Sequence, residues 1–178
     1  MNENPMRQVR LEKLTLNIGA GEAGPTLEKG KVLLEKISGC KIVVTTTHKR
    51  TTFGGAKGRP IGAKVTLRGE AARELLGRLL QGIDNKLKPS QFDRQGNVSF
   101  GIVEYIHIPG MKYDPDIGIM GFDVCVTLTR PGFRISKKRL RPGRIGSSHR
   151  ITPEDAQKWV QDNFQTKITE EVESRFVW

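Results

Sequence analysis

The stretch "LTLNIGAGEAGPTLEKG", Leu14 to Gly30, decides the fold. Its first five residues alternate: Leu14, Leu16 and Ile18 fall on one face, Thr15 and Asn17 on the other, the period of a half-buried strand. Gly19, Gly21 and Gly24 then spell G-x-G-x-x-G, and Pro25 and Thr26 open a helix-like run. Strand, glycine turn and helix are the local setting of a dinucleotide-binding fold. That fold also needs an acidic residue ~20 positions downstream for the ribose, and a parallel second strand. No Asp or Glu occurs between Cys40 and Gly69, and the second strand-like run ends in His48-Lys49-Arg50. An arginine there suits a 2′-phosphate, as in an NADP site, but one long helix with adjoining strands gives no doubly wound repeat. The glycines therefore read as a tight turn from a first strand into a first helix.

Working outward, Val9 to Ile18 is the first strand. The first helix runs from Pro25 to about Ser38, with Leu27, Leu34 and Ile37 inside and Gly39 as its stop. Lys41 to Thr47, "KIVVTTT", is a β-branched second strand, and a glycine-rich loop covers roughly His48 to Pro60. Ile61 to Arg68 alternates as a third strand. A second helix is expected from Glu70 to about Leu87, on the spacing of Ala72, Leu75, Leu76, Leu79, Ile83 and Leu87. Asn97 to Val103 and Gly121 to Thr129 alternate as further strands. A basic stretch without periodicity then leads to a short helix, with Thr152 as cap, Pro153 at the first position and Asp155 completing a capping box. This is an α+β fold: a mainly antiparallel sheet of about five strands, helices packed on one face, an open polar and basic face, and a basic C-terminal extension. Residues 1–130 are expected to form one α+β domain, the part that would carry any binding surface, and residues 131–178 a basic tail ending in a short helix.

Charge points to the partner. Thirty Lys and Arg against nineteen Asp and Glu give +11. Fourteen of the positive charges lie in two acid-free stretches, Thr47–Gly69 and Thr129–Arg150, and the rest of the chain carries a net −3. A near-neutral domain bearing two cationic patches is the footprint of a polyanion partner. The outward positions Lys13, Thr15, Asn17, Thr45, Thr47, Lys64, Thr66, Arg68, Asn97, Ser99, Thr127 and Thr129 are donors suited to phosphate and 2′-hydroxyl oxygens, though no aromatic stacks there.

Other classes lack their chemistry. "GGAKG", Gly54 to Gly58, is half of a phosphate loop, but no Gly-Lys-Ser/Thr follows. No nucleophile elbow and no H-E-x-x-H occurs; Glu70, Glu104, Asp114 and Asp116 read as helix-start, strand-end and turn residues. The cysteines, Cys40 and Cys125, and the histidines, His48, His107 and His149, are scattered, so no catalytic residue, cofactor or metal site is expected. No run approaches ~18 apolar residues, and "MNENPMRQVR" has no apolar core, which argues against a membrane span and a secretory signal.

Four segments together carry a resemblance: "LEKLTLNIGAGEA", "TTTHKRTTFGGAKGRPIGAKVTLRGE", "FDRQGNVSFGIVEYIHIPGMKYDPD" and "GIMGFDVCVTLTRPG". Their order and spacing, over roughly Val9 to Gly132, resemble the large-subunit ribosomal protein that binds 5S ribosomal RNA, the universal protein five family. The arginine-rich tail resembles the archaeal and eukaryotic branch. The resemblance implies a non-enzymatic, cytoplasmic ribosomal component that attaches 5S rRNA to the large subunit at the central protuberance. Implied partners are 5S rRNA, large-subunit rRNA, P-site tRNA and neighbouring ribosomal proteins, including a small-subunit bridge protein, with no membrane. Asn17, Thr66 and the Thr47-His48-Lys49-Arg50 strand end match 5S-contacting positions; Lys13, Thr15, Lys64 and Arg68 extend that face. Phe53, Gly54, Gly55, Lys57, Gly58 and Arg59 match the loop that reaches P-site tRNA. Arg134, Lys137, Lys138, Arg139, Arg141 and Arg144 would lie along other rRNA. Cys40 stands where many members carry Gln, and a thiol is a poor hydrogen-bond partner. The competing reading is a free-standing RNA-binding or chaperone protein using the same sheet.

Overall fold

A computed structural model describes residues 4–21, 23–50 and 56–169. Among these residues, seven strands and four α-helices follow in the order β1 (Arg10–Gly19), α1 (Pro25–Ser38), β2 (Val43–Thr46), β3 (Pro60–Leu67), α2 (Gly69–Gln81), β4 (Lys86–Leu87), β5 (Val98–Ile102), β6 (Phe122–Thr129), α3 (Arg134–Lys137), α4 (Pro153–Phe164) and β7 (Lys167–Ile168). Five strands form one sheet in the order β2-β3-β1-β6-β5, antiparallel at every pairing. The Leu14–Gly30 unit thus places its strand at the centre, with antiparallel neighbours on both sides. This is the arrangement a dinucleotide fold cannot have.

Register stacks the apolar alternation of each strand into rows. Leu67, Leu14, Val126 and Val98 are paired in sequence across four strands, and Val65, Leu16, Val124 and Phe100 form the next row. All eight are buried. They face α1 and α2, which contribute Leu27, Leu33, Leu34 and Ile37, and Leu75, Leu76, Leu79 and Leu80. One continuous core results, extended by Tyr105, Ile108, Ile117, Ile151, Ala156 and Val160. On the opposite face Lys13, Thr15 and Asn17 are half-buried, and Lys64, Thr66, Ser99, Asp123 and Cys125 are exposed among the described residues.

The glycine turn is tight for a specific reason. The N–H groups of Ala20 and Gly21 both donate to the carbonyl of Ile61, at 2.8 and 3.1 Å. Gly21 takes a left-handed φ of 73° to do so. Gly39 stops α1 in the left-handed conformation expected of it, its N–H bonded to the Glu35 carbonyl.

The second helix is shorter than the sequence suggests, ending at Gln81 instead of about Leu87. Asp84 and Asn85 adopt left-handed φ values of 57° and 54°, and the Asn85 N–H returns to the Leu80 carbonyl. Leu87 is still fully buried, but in β4, paired in parallel with β7. A buried residue at the next helical interval mimicked a further turn. β2 is also shorter than the Lys41–Thr47 run, ending at Thr46 just past a register shift between Thr45 and Thr46.

Candidate nucleic-acid interface

The open face is built from cross-strand rows of short polar side chains. Thr66, Thr15, Cys125 and Ser99 stand side by side on β3, β1, β6 and β5. The next row is Val43, Lys64, Asn17, Asp123 and Gly101, spanning the whole sheet. Lys13 lies opposite Thr127 in a third row. Arg68 follows β3 directly, exposed at the N-cap of α2. The side chains of Lys13, Thr15, Asn17, Lys64, Thr66 and Arg68 make no hydrogen bond or ion pair with any described residue. Their donors are therefore available to a partner.

One end of this face is pinched. A Cβ on Gly62 would lie 2.6 Å from the Ile18 carbonyl oxygen and 2.8 Å from Thr45 Oγ1. The bare glycine lets Thr45 fold over β3 and keeps the edge strand close.

Thr47 has a role the sequence did not disclose. Its N–H donates to the Arg59 carbonyl and its own carbonyl accepts from Gly58 N–H, both at 2.9 Å. Its hydroxyl donates to the Ala56 carbonyl at 2.6 Å and accepts from Arg59 N–H at 3.1 Å. Thr47 thus closes the base of the loop, with its hydroxyl engaged there. His48, Lys49 and Arg50 emerge exposed beyond it, as do Lys57, Gly58 and Arg59 on the returning limb. Phe53, Gly54 and Gly55 lie outside the described residues.

The second basic stretch is pinned at both ends by Arg130. This side chain, 9% exposed, donates from Nη1 to the carbonyl of Arg150 at 3.0 Å and from Nη2 to Asp155 Oδ2 at 2.9 Å. Burial pushes the Asp155 carboxyl up. The hydrogen bonds from Thr152 and the Arg130 charge outweigh it and hold the group below its ordinary value. Thr152 and Asp155 form the expected capping box. Between these anchors Arg134, Lys138, Arg139, Arg141 and Arg144 are exposed and make no ion pair with described residues, whereas Lys137 pairs with Glu12 on β1. Elsewhere Lys36 pairs with Asp114, raising the amine and lowering the carboxyl.

No group of His, Cys, Asp and Glu among the described residues could hold a metal ion, and no described helix is long and apolar enough to cross a membrane. The arrangement is an unpartnered donor face flanked by two cationic loops. It offers contacts to a sugar-phosphate surface.

Comparison with known proteins agrees. Residues 4–52 match ribosomal protein L5 and residues 60–159 match the ribosomal L5P family C-terminus. The large ribosomal subunit protein uL5 of Sulfurisphaera tokodaii is 50% identical over 170 residues, covering 94% of this chain and 96% of that protein. The protein of the same name from Methanobrevibacter smithii is 46% identical, covering 94% of this chain and 99% of its own. That from Cenarchaeum symbiosum is 48% identical, covering 92% and 97%. With the two family matches spanning most of the chain and relatives of 46–50% identity covering more than nine-tenths of it, the chain belongs to the ribosomal protein L5 family, a family of structural proteins and not enzymes.

Proposed function

We propose that this chain is a structural component of the large ribosomal subunit that binds 5S rRNA through the open sheet face. On this reading it attaches 5S rRNA at the central protuberance. The observation that carries the reading is a row of donors: Asn17, Lys64, Thr15 and Thr66 are adjacent by register, and none makes a side-chain hydrogen bond or ion pair with another described residue. Lys13, Lys64, Arg68, Lys49 and Arg50 neutralise phosphates, and the amide and hydroxyl groups fix orientation. The Lys57–Arg59 limb carries positive charge away from the sheet toward P-site tRNA. The cations of residues 134–144 lie against large-subunit rRNA, so that residues 1–130 act as the 5S-binding domain and residues 131–178 as the basic extension. A contribution to a bridge with a small-subunit protein completes the assignment, in the cytoplasmic ribosome.

Two variants separate these roles. Asn17→Ala with Thr66→Val weakens 5S rRNA binding by about tenfold or more, the loss expected for ~1.5–3 kcal/mol of charge-assisted and neutral hydrogen bonds. Lys57→Ala with Arg59→Ala leaves 5S binding intact and weakens tRNA retention in the P site of assembled ribosomes. Filter binding reads the first and tRNA dissociation the second. Unchanged 5S binding in the first variant contradicts the sheet assignment; equal loss of both activities in the second contradicts the loop assignment.

A further inference from the structure

Charge on the open face is divided by strand. The cations Lys13 and Lys64 stand on β1 and β3, with Arg68 just beyond. The β6–β5 half offers Asp123, Cys125, Thr127, Ser99 and Gly101, with no cation. Asp123 is exposed in the middle of the sheet, one strand from Asn17 and two from Lys64. It makes no hydrogen bond or ion pair with any described residue. A carboxylate at this place in a phosphate-binding surface opposes affinity unless something other than phosphate meets it.

Gly101 supplies the room for that contact. It is the cross-strand partner of Asp123, and a Cβ built on it would meet Asp123 Oδ1 at 3.9 Å and no other atom. The carboxylate therefore stands beside bare backbone, with no side chain at the cross-strand position to cover it. Partial burial and the Asp123 charge both push the thiol of its neighbour Cys125 above its ordinary value. An ionised carboxylate only accepts hydrogen bonds, and its two oxygens suit the donor edge of an unpaired base or a 2′-hydroxyl.

We propose that Asp123 determines which RNA the open face accepts. It takes a hydrogen bond from an N–H or 2′-hydroxyl donor of an unpaired nucleotide seated over Gly101, and it repels any RNA that would set a phosphate there. The proposal rests on the reading of this face as the 5S rRNA surface. The phosphate track then runs over β3 and β1, and recognition occurs over β6 and β5. Selection by a repulsive element as well as an attractive one is how specificity exceeds affinity.

The test compares the full-length chain and its variants for binding to 5S rRNA and to an unrelated structured RNA of similar length. Asp123→Asn weakens 5S binding and strengthens the unrelated RNA, so the affinity ratio falls by about tenfold, the discrimination expected of one base-edge contact. Gly101→Ala, which meets only ordinary contact distance, folds normally and also lowers 5S affinity by covering that bare backbone. Analogue interference identifies the donor: 2′-deoxy substitution reports a hydroxyl and inosine or purine substitution reports a base amino group. The site responsible interferes with the wild type and not with Asp123→Ala. An unchanged affinity ratio in Asp123→Asn overturns the proposal. If Asn17→Ala weakens 5S binding in the same assay, that failure belongs to Asp123 alone; if Asn17→Ala is also silent, the face itself has been misassigned.

Discussion

Two glycines on the open face do opposite things, and the difference is measurable. Gly62 sits under Thr45 with the Ile18 carbonyl 2.6 Å from where a Cβ would stand. Backbone cannot yield as a side-chain tip can, so Gly62→Ala destabilises the fold by about 1–3 kcal/mol, as overpacking does. Gly101→Ala changes stability by less than about 0.5 kcal/mol, as expected for an open surface position. Urea midpoints of the two variants check this; equal effects contradict the pinched edge. Neither role was legible in the sequence, where both glycines simply alternate outward. Close approach depends on which strand lies alongside, and pairing across the sheet is not encoded in either strand alone. Thr47 is the same kind of case: its β-branched neighbours mark a strand, but its hydroxyl closes a loop with Ala56 and Arg59.

At the scale of elements, Arg130 ties the end of β6 to the start of α4. Replacing it with Met leaves the Arg150 carbonyl unpaired and removes a charge partner from Asp155, which is one-third exposed. A loss of about 1–3 kcal/mol at neutral pH follows, less than for a fully buried pair. Because the folded Asp155 carboxyl lies below its ordinary 3.8, its contribution is fully present above that value and disappears as pH falls through the folded value. The gap between wild type and Arg130→Met therefore narrows below about pH 4. Denaturation at neutral and acidic pH measures it, and a gap that widens on acidification contradicts the pairing. The helix around Thr152 and Pro153 was readable because capping chemistry is local. The end of α2 was not, because Ile83 and Leu87 continue the helical spacing while Asp84 and Asn85 break the backbone. The two-residue strands β4 and β7 are too short to carry a period, so their pairing has no sequence signal.

For the whole molecule, the physical design is a division of labour between two sheet faces. Alternation in β1, β3, β5 and β6 fixes both at once, which is why the α+β layering and the donor row are legible in the sequence. Charge segregation was equally legible, since two acid-free stretches hold the excess. Spatial order was not: it takes the β2-β3-β1-β6-β5 arrangement to put the cations on one half of the face and Asp123 on the other. The central claim is that this face binds 5S rRNA by neutralising phosphates along β3 and β1. Salt dependence tests it most directly. If about six phosphates are neutralised, the logarithm of the 5S association constant falls against the logarithm of salt concentration with a slope of roughly −4 to −5, and Lys64→Ala with Arg68→Ala makes that slope shallower by about 1.5–2. A flat salt response, or a slope unmoved by the double substitution, contradicts the account.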